Sequence, residues 1–351
     1  MVCHKTVTWC GNLPISKQKM AKLAIEGEIP DEDCLVEWVR EALTQGKRKI
    51  NIIDGCVVEC NRSVAVLCGP IVGEVTSNSA VVMLEVSGPE HRTPISCKLY
   101  KVGEPEEPVD AMEFEVKLRR PFSFTFESLE PDTEYNVALN GVAKYYAAKR
   151  MATFKTKAES PTTFRLFALS CDRQRRLLLG QQNPWKHMLR RIKGVDCILH
   201  LGDQIYPNTE DIADADRMFN KIFDGLPQEK QTKMMLRGRE LYRNKYRDVY
   251  SMDAKADCMA KVSNLMIWSD NDVANDFTTM KNEDGDQAYH PNFLQCGMRT
   301  YREYQRRLWD PKCSLHLSEV VEEWHSHVYG PIGIFMFDLR GNRITGEGHQ
   351  G

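Results

Sequence analysis

What most restricts the fold of this chain is the placement of its polar donors relative to its apolar runs. Three short runs in the second half, FRLFALS (164–170), DCILHL (196–201) and SNLMIW (263–268), each lead into a polar cluster. The clusters are Ser170-Cys171-Asp172, Gly202-Asp203-Gln204-Ile205-Tyr206 and Ser269-Asp270-Asn271-Asp272-Val273-Ala274-Asn275-Asp276. Amphipathic stretches separate them. In NPWKHMLRRIKG, Trp185, Met188, Leu189 and Ile192 recur at i, i+3, i+4 and i+7, the period of one helix face. KMMLRGRELYRNKYRDVY and TYREYQRRLW read as further helices, and GIFMFD (333–338) as a fourth strand. Alternating strands and helices predict a layered α/β sheet with its functional groups in loops at the strands' carboxyl ends. Thiol, carboxylate, phenol and amide groups then converge on one sheet edge. Mixed oxygen and sulfur donors that include a phenolate suit a hard, high-valent cation such as ferric iron.

The preceding segment has a different rhythm. AVVMLEV (80–86), CKLYKV (97–102), FEVKL (114–118), FSFTF (122–126), YNVAL (135–139) and a last run, ATFKT, are short, β-branched or aromatic, and punctuated by Gly, Pro, Asn and Asp. That is the pattern of an all-β sandwich, assigned to 66–157. The segment Leu129-Glu-Pro-Asp-Thr-Glu-Tyr-Asn-Val137 resembles the corner of fibronectin type III domains, with Tyr135 as the tyrosine whose hydroxyl bonds to nearby backbone. The polar joint TKAESPTT (156–163) separates the sandwich from the α/β unit, assigned to 163–351. Residues 1–60 read as a short helical segment, because Leu35, Trp38, Val39 and Leu43 share one face. Asp31 or Asp33 could cap its start.

Composition narrows the function classes. A net charge of -2 over 351 residues gives no basic surplus for nucleic acid or an anionic membrane. No apolar stretch approaches the roughly 20 residues that span a bilayer. The 12 cysteines are scattered without a CxxC pair, and the start lacks a secretory layout. Free thiols in a reducing compartment are therefore expected, hence a cytoplasmic location. There is no phosphate-cradling GxxxxGK[ST], dinucleotide GxGxxG or GxSxG elbow. Arg173, Arg175 and Arg176 after Cys171 could attract a phosphate or simply solvate a loop.

FALSCDRQ, LHLGDQIYPN, MIWSDNDVANDF and FMFDLRGNRI stand in an order that resembles the PhoD-like (alkaline phosphatase D) branch of the calcineurin-like metallophosphatases. The sandwich fits as well, since that family commonly carries an amino-terminal fibronectin-like domain. The resemblance implies a metal-dependent phosphoesterase acting on phosphate mono- or diesters. It implies that Cys171 and Tyr206 bind ferric iron, and that Asp203 bridges it to a second divalent metal, calcium. Asp270 and Asn275 lie in the segment that supplies the second metal, and the ligand between them stays open. A phosphate ester is then the small-molecule partner.

Two departures shape the expected activity. The family reads W-D-D-H-[DE] where this chain has Trp268-Ser269-Asp270-Asn271-Asp272, so Asn271 stands at the catalytic histidine and can donate a hydrogen bond but no proton. The later half, which supplies histidine ligands in a G-D-x-H-like segment, is not represented, so the domain reads as the first half only of the fold. Little hydrolysis by this chain alone is expected. A catalytically impaired binding module or a truncated gene product are the alternatives, the latter leaving an apolar sheet face open. His325-Ser-His327 is a candidate substitute ligand pair that more often packs, and His200 reads as a core histidine.

Overall fold

β-Branched and aromatic residues that face alternately inward and outward build two sheets around a shared apolar layer. The computed structural model describes residues 49–53, 56–60, 64–87, 92–142, 151–173, 183–207, 210–275, 277, 289–316 and 322–341. One sheet has the order β3 (Ala65–Val75), β4 (Ala80–Ser87), β7 (Phe122–Phe126). The other has the order β6 (Asp110–Lys117), β5 (Arg92–Lys101), β8 (Glu134–Asn140), β9 (Ala152–Lys155). All pairings within these two sheets are antiparallel. Val82, Leu84 and Val86 from the first sheet meet Leu99, Tyr135, Val137 and Phe154 from the second in one core. The Tyr135 hydroxyl accepts the Glu130 backbone N–H at 2.9 Å, the corner expected from the sequence.

The residues assigned to a helical start need a correction. Lys49–Ile53 (β1) and Cys56–Cys60 (β2) form an antiparallel pair, as alternation in KINII and CVVEC allows. The helix face of Leu35 to Leu43 lies outside the described residues.

β4 is buried along its whole length, which is why AVVMLEV is a continuous apolar run rather than an alternating one. Its second face, with that of β3, packs on helices: Cys68, Ile71 and Met83 share a core with Tyr242, Tyr246, Tyr250, Phe293 and Tyr304. These helices are α3 (Gln228–Tyr250) and α5 (Pro291–Tyr304); α1 (Pro184–Leu189), α2 (Glu210–Ile222) and α4 (Asp253–Met259) complete the helical set among the described residues. Glu85, on the helix-facing side of β4, is fully buried and bonded by Arg247 through Nη2 at 2.6 Å and by the Tyr304 hydroxyl at 2.5 Å. Arg247 also reaches Glu240 at 2.6 Å, as does Arg119 from the turn between β6 and β7. Arg243 pairs with Glu303 of α5 at 2.7 Å. Burial alone would raise the Glu240 pKa, but Arg247, Arg119 and Arg243 hold it far below the ordinary carboxylate range.

The three strands that lead to the polar clusters form a parallel sheet in the order β10 (Leu166–Leu169), β11 (Cys197–Leu201), β12 (Ser263–Ile267). Its buried strand β12 is bonded to the sandwich: Ser263 Oγ donates to the Gly73 carbonyl and Asn264 Nδ2 to the Val72 carbonyl. The joint after the sandwich is anchored too, with Lys157 Nζ 2.6 Å from the Asp196 carbonyl. GIFMFD does not extend this sheet. β14 (Ile332–Met336) pairs antiparallel with β13 (His325–Tyr329), because the two-residue turn at Gly330 cannot make the long crossover that parallel strands require. The inner face of the hairpin packs through Ile334 and Met336. On the outer face Val328, Phe335 and Phe337 are exposed.

Arg247→Met removes one partner of two buried carboxylates and is expected to cost roughly 3–5 kcal/mol. Urea unfolding followed by tryptophan fluorescence, to which Trp185, Trp268, Trp309 and Trp324 of the α/β side contribute, and by far-UV dichroism should give one shared transition. Two separated transitions would count against a single cooperative unit.

Candidate active site

The ends of β10 and β11 continue their pairing past the last strand residues. The Cys171 N–H donates to the Gly202 carbonyl at 3.3 Å and the Asp172 N–H to the Asp203 carbonyl at 3.0 Å. Cys171 and Asp203 both adopt φ of 58°, a left-handed conformation that non-glycine residues hold only where the surroundings enforce it. Gly202, at φ 92°, passes so close to Ser269 that an added Cβ would lie 2.4 Å from the Ser269 Cβ. The Gly-Asp pair is thus a turn with a further duty. It lets the loop after β11 press against the loop after β12.

Three side chains converge on one oxygen as a result. Asp203 Oδ2 is approached by the Cys171 thiol at 3.4 Å, the Tyr206 hydroxyl at 3.0 Å and the Asn271 amide at 3.3 Å. The other carboxylate oxygen, Asp203 Oδ1, and the Asn271 carbonyl oxygen are buried without a hydrogen-bond partner. A buried acceptor left unsatisfied costs about 1–3 kcal/mol, so two within one cluster form a place for a positive group. Burial, then the neighbouring Cys171 and Asp203, push the Tyr206 phenol well above its ordinary pKa. Its ionisation therefore calls for a cation in place of the proton. Among the described residues, no group of three or more His, Cys, Asp or Glu side chains stands ready for a metal, since half of this set is Tyr and Asn. The donor chemistry of Cys171, Asp203 and Tyr206 nonetheless fits a hard, high-valent ion.

The remaining sequence candidates sit around this cluster. Asp270 is buried and turns its carboxylate to Arg340 at 2.8 Å, with the Ser269 hydroxyl at 3.0 Å. Asn275 is exposed one turn further on. Arg173 lies over the Tyr206 ring, 5.4 Å from its centroid, while Arg175 and Arg176 lie outside the described residues. Sequence reasoning missed Arg340, which comes to lie beside Asp270 only through the segment that follows β14. It also passed over Asp172, which accepts from Lys255 Nζ at 2.6 Å and Trp185 Nε1 at 3.1 Å and braces the Cys171 loop. Asp272, in the same DND segment, has its carboxylate fully buried against backbone N–H groups. Burial drives its pKa up to about 7, against the pull of those donors.

The histidines take structural roles. His200 is sandwiched by hydrogen bonds to Gln204 at 2.8 Å and Asn264 at 3.0 Å. His325 and His327 face each other at 2.6 Å, and their outer nitrogens meet the Met266 carbonyl and Glu74, so every ring nitrogen is engaged without a metal. Because a carbonyl only accepts, His325 Nε2 carries the proton and its Nδ1 accepts from His327.

These features stand beside a direct match. Residues 166–347, just over half of the chain, match the family described as PhoD-like phosphatase, and the chain belongs to that family. No curated protein matches it. The solved structure of PhoD superposes with a TM-score of 0.53 at 15% identity, covering 79% of this chain and 51% of its own. The chain thus spans about half the length of that protein. It is also similar to the sensor domain of the anti-sigma factor RsgI4 in Pseudobacteroides cellulosolvens (TM-score 0.22, 22% identity, 27% of this chain and 95% of that one). The fn3 domain of human contactin 1 is similar at TM-score 0.19 and 20% identity, over 26% of this chain and 78% of its own. No described helix is long and apolar enough to cross a membrane.

Burial depresses the pKa of His200 to about 4 and of His325 to about 3, so both are neutral in the folded chain. The unfolded chain takes up these protons near pH 6.5. Their contribution to stability is therefore complete above that pH and declines as pH falls toward 4. Urea denaturation at pH 7.5 and 4.5 should show a loss of roughly 2–3 kcal/mol from His200 alone. Asp272, whose carboxyl pKa burial raises, pulls the opposite way over this range, so the comparison is with His200→Gln, and an equal loss in both proteins would contradict this assignment.

Proposed function

We propose that this chain is a metal-dependent phosphoesterase unit of PhoD type, acting on phosphate mono- or diesters. The observation that carries the reading is the convergence of Cys171, Tyr206 and Asn271 on Asp203, with two buried oxygens left unpartnered. Cys171 and Tyr206 would hold ferric iron, and Asp203 would bridge it to a second divalent cation, calcium. Asp270 or Asn275 would complete the second position. When bound, such a pair supplies Lewis acidity and an activated water for in-line displacement at phosphorus.

The chain's own groups set what surrounds that chemistry. Asp203 would supply its carboxylate to both cations. Arg173, stacked on Tyr206, adds positive charge at the mouth of the site where an anionic ester enters. Asn271 offers its amide N–H groups to a phosphate oxygen or the leaving oxygen. It withholds a proton, which limits turnover. Losing general acid catalysis lowers rate by roughly 10²- to 10⁴-fold.

Asp203→Asn should abolish metal-dependent hydrolysis of p-nitrophenyl phosphate and the visible band of a Tyr206–iron pair. Hydrolysis that survives the change would refute the assignment. Asn271→His should raise kcat by at least about 10-fold, with a pH profile that gains an acidic limb. A variant no faster than the parent would remove Asn271 from the leaving-group role.

One observation favours a second reading, a binding module. The stacked ring pair Trp324–Phe335, at 5.4 Å, and Phe337 beyond it form an exposed apolar strip on the outer face of the hairpin.

A further inference from the structure

Asp272 lies two residues from Asp270, yet its carboxylate addresses the protein backbone rather than the cluster. Oδ2 accepts the N–H groups of Asp203 and Ser269, each at 2.9 Å. Oδ1 accepts those of Gln204 at 2.9 Å and Ile205 at 3.3 Å, and the Gln305 side-chain amide at 2.8 Å. These five donors come from the loop after β11, the loop after β12 and the end of α5. The Gln305 amide is in turn 3.0 Å from the Tyr246 hydroxyl of α3. One side chain of zero exposure therefore joins the carboxyl ends of two parallel strands and a helix.

The loop it holds is the strained one. Asp203 stands at φ 58°, and three successive N–H groups from Asp203 to Ile205 turn toward the same carboxylate. A concave run of backbone N–H groups is an anion-binding arrangement, and here the anion is built into the chain. We propose that Asp272 is the positioning residue of this site. Its two acceptor oxygens hold the Asp203 backbone so that the Asp203 side chain points into the cluster. The proposal rests on the reading of Asp203 as the bridging ligand.

A pair of acceptor oxygens rather than bulk is the requirement. An asparagine of the same size keeps one acceptor oxygen and turns an NH2 group against two N–H donors on one side or three on the other. A glutamate keeps both acceptors and adds one methylene. The two substitutions separate the roles in opposite directions.

The test uses the full chain, loaded with ferric iron, as wild type, Asp272→Asn and Asp272→Glu. Asp272→Asn should weaken iron binding roughly 10- to 100-fold, in the range for a group that orients a ligand, and shift or abolish the visible band. Asp272→Glu should keep most of both. The reverse order, with asparagine tolerated and glutamate not, would overturn the proposal in favour of simple packing. If the asparagine variant does not fold, the glutamate variant decides: a retained band supports the role, and loss of the band in a folded chain overturns it. If the wild type takes up no iron, the metal reading fails and the positioning role is read from hydrogen exchange in the metal-free chain. The Asp203, Gln204 and Ser269 amides should then exchange at least about 10-fold faster in a folded Asp272→Asn than in wild type or Asp272→Glu. Equal exchange would overturn it.

Discussion

The rest of the structure depends on a set of charges with no access to water. Glu85 from the sandwich, Arg247, Arg243 and Glu240 from α3, Glu303 from α5 and Arg119 from the β6–β7 turn neutralise one another in the interior. Each would be costly alone, because a desolvated charge without a partner is worth several kcal/mol. Together they are satisfied only when the sandwich, α3 and α5 take one mutual arrangement. The sandwich is therefore a wall of the α/β unit, and β3 bonds directly to β12, the strand that delivers Ser269 to Asp272.

That wall matters for the site because the site is made of loop ends, which do not hold their own shape. Cys171 and Asp203 sit in left-handed backbone, Gly202 presses against Ser269, the half-buried Asp172 braces the first loop and the buried Asp272 the other two. Lys255 and Trp185 hold the first brace, and Gln305 with the backbone donors hold the second. The cluster around Asp203 can then stay short of partners on two oxygens. Elsewhere in the interior the polar histidines are fully engaged. This contrast separates the candidate site from the His325–His327 pair, which looks metal-like in sequence and serves as packing.

Much of this was legible in advance. Period-two runs marked most sandwich strands, the corner tyrosine marked Tyr135, and apolar runs ending in polar clusters marked β10, β11 and β12. Cys171, Asp203, Tyr206 and Asn271 came from that pattern and do meet. β3 escaped notice because AVLCGPIVGEV carries Gly and Pro inside a strand, which local propensity reads as a break. The antiparallel hairpin was mistaken for part of the sheet because an apolar run does not carry the direction of its partner. Arg340 and Asp272 were invisible as functional residues, since their partners lie 70 and 69 positions away in the chain.

The amino-acid sequence by itself determined most of the element types, the family and the identities of the groups that could meet a cation. These follow from local periodicity and from residues that stand within a few positions of a strand end. The tertiary structure decided which oxygens are left unpartnered, which carboxylate meets Cys171, Tyr206 and Asn271 and which faces backbone. It also decided that the sandwich is part of the support. Those outcomes depend on burial and on contacts between segments far apart in the chain, and neither can be read from neighbours along it.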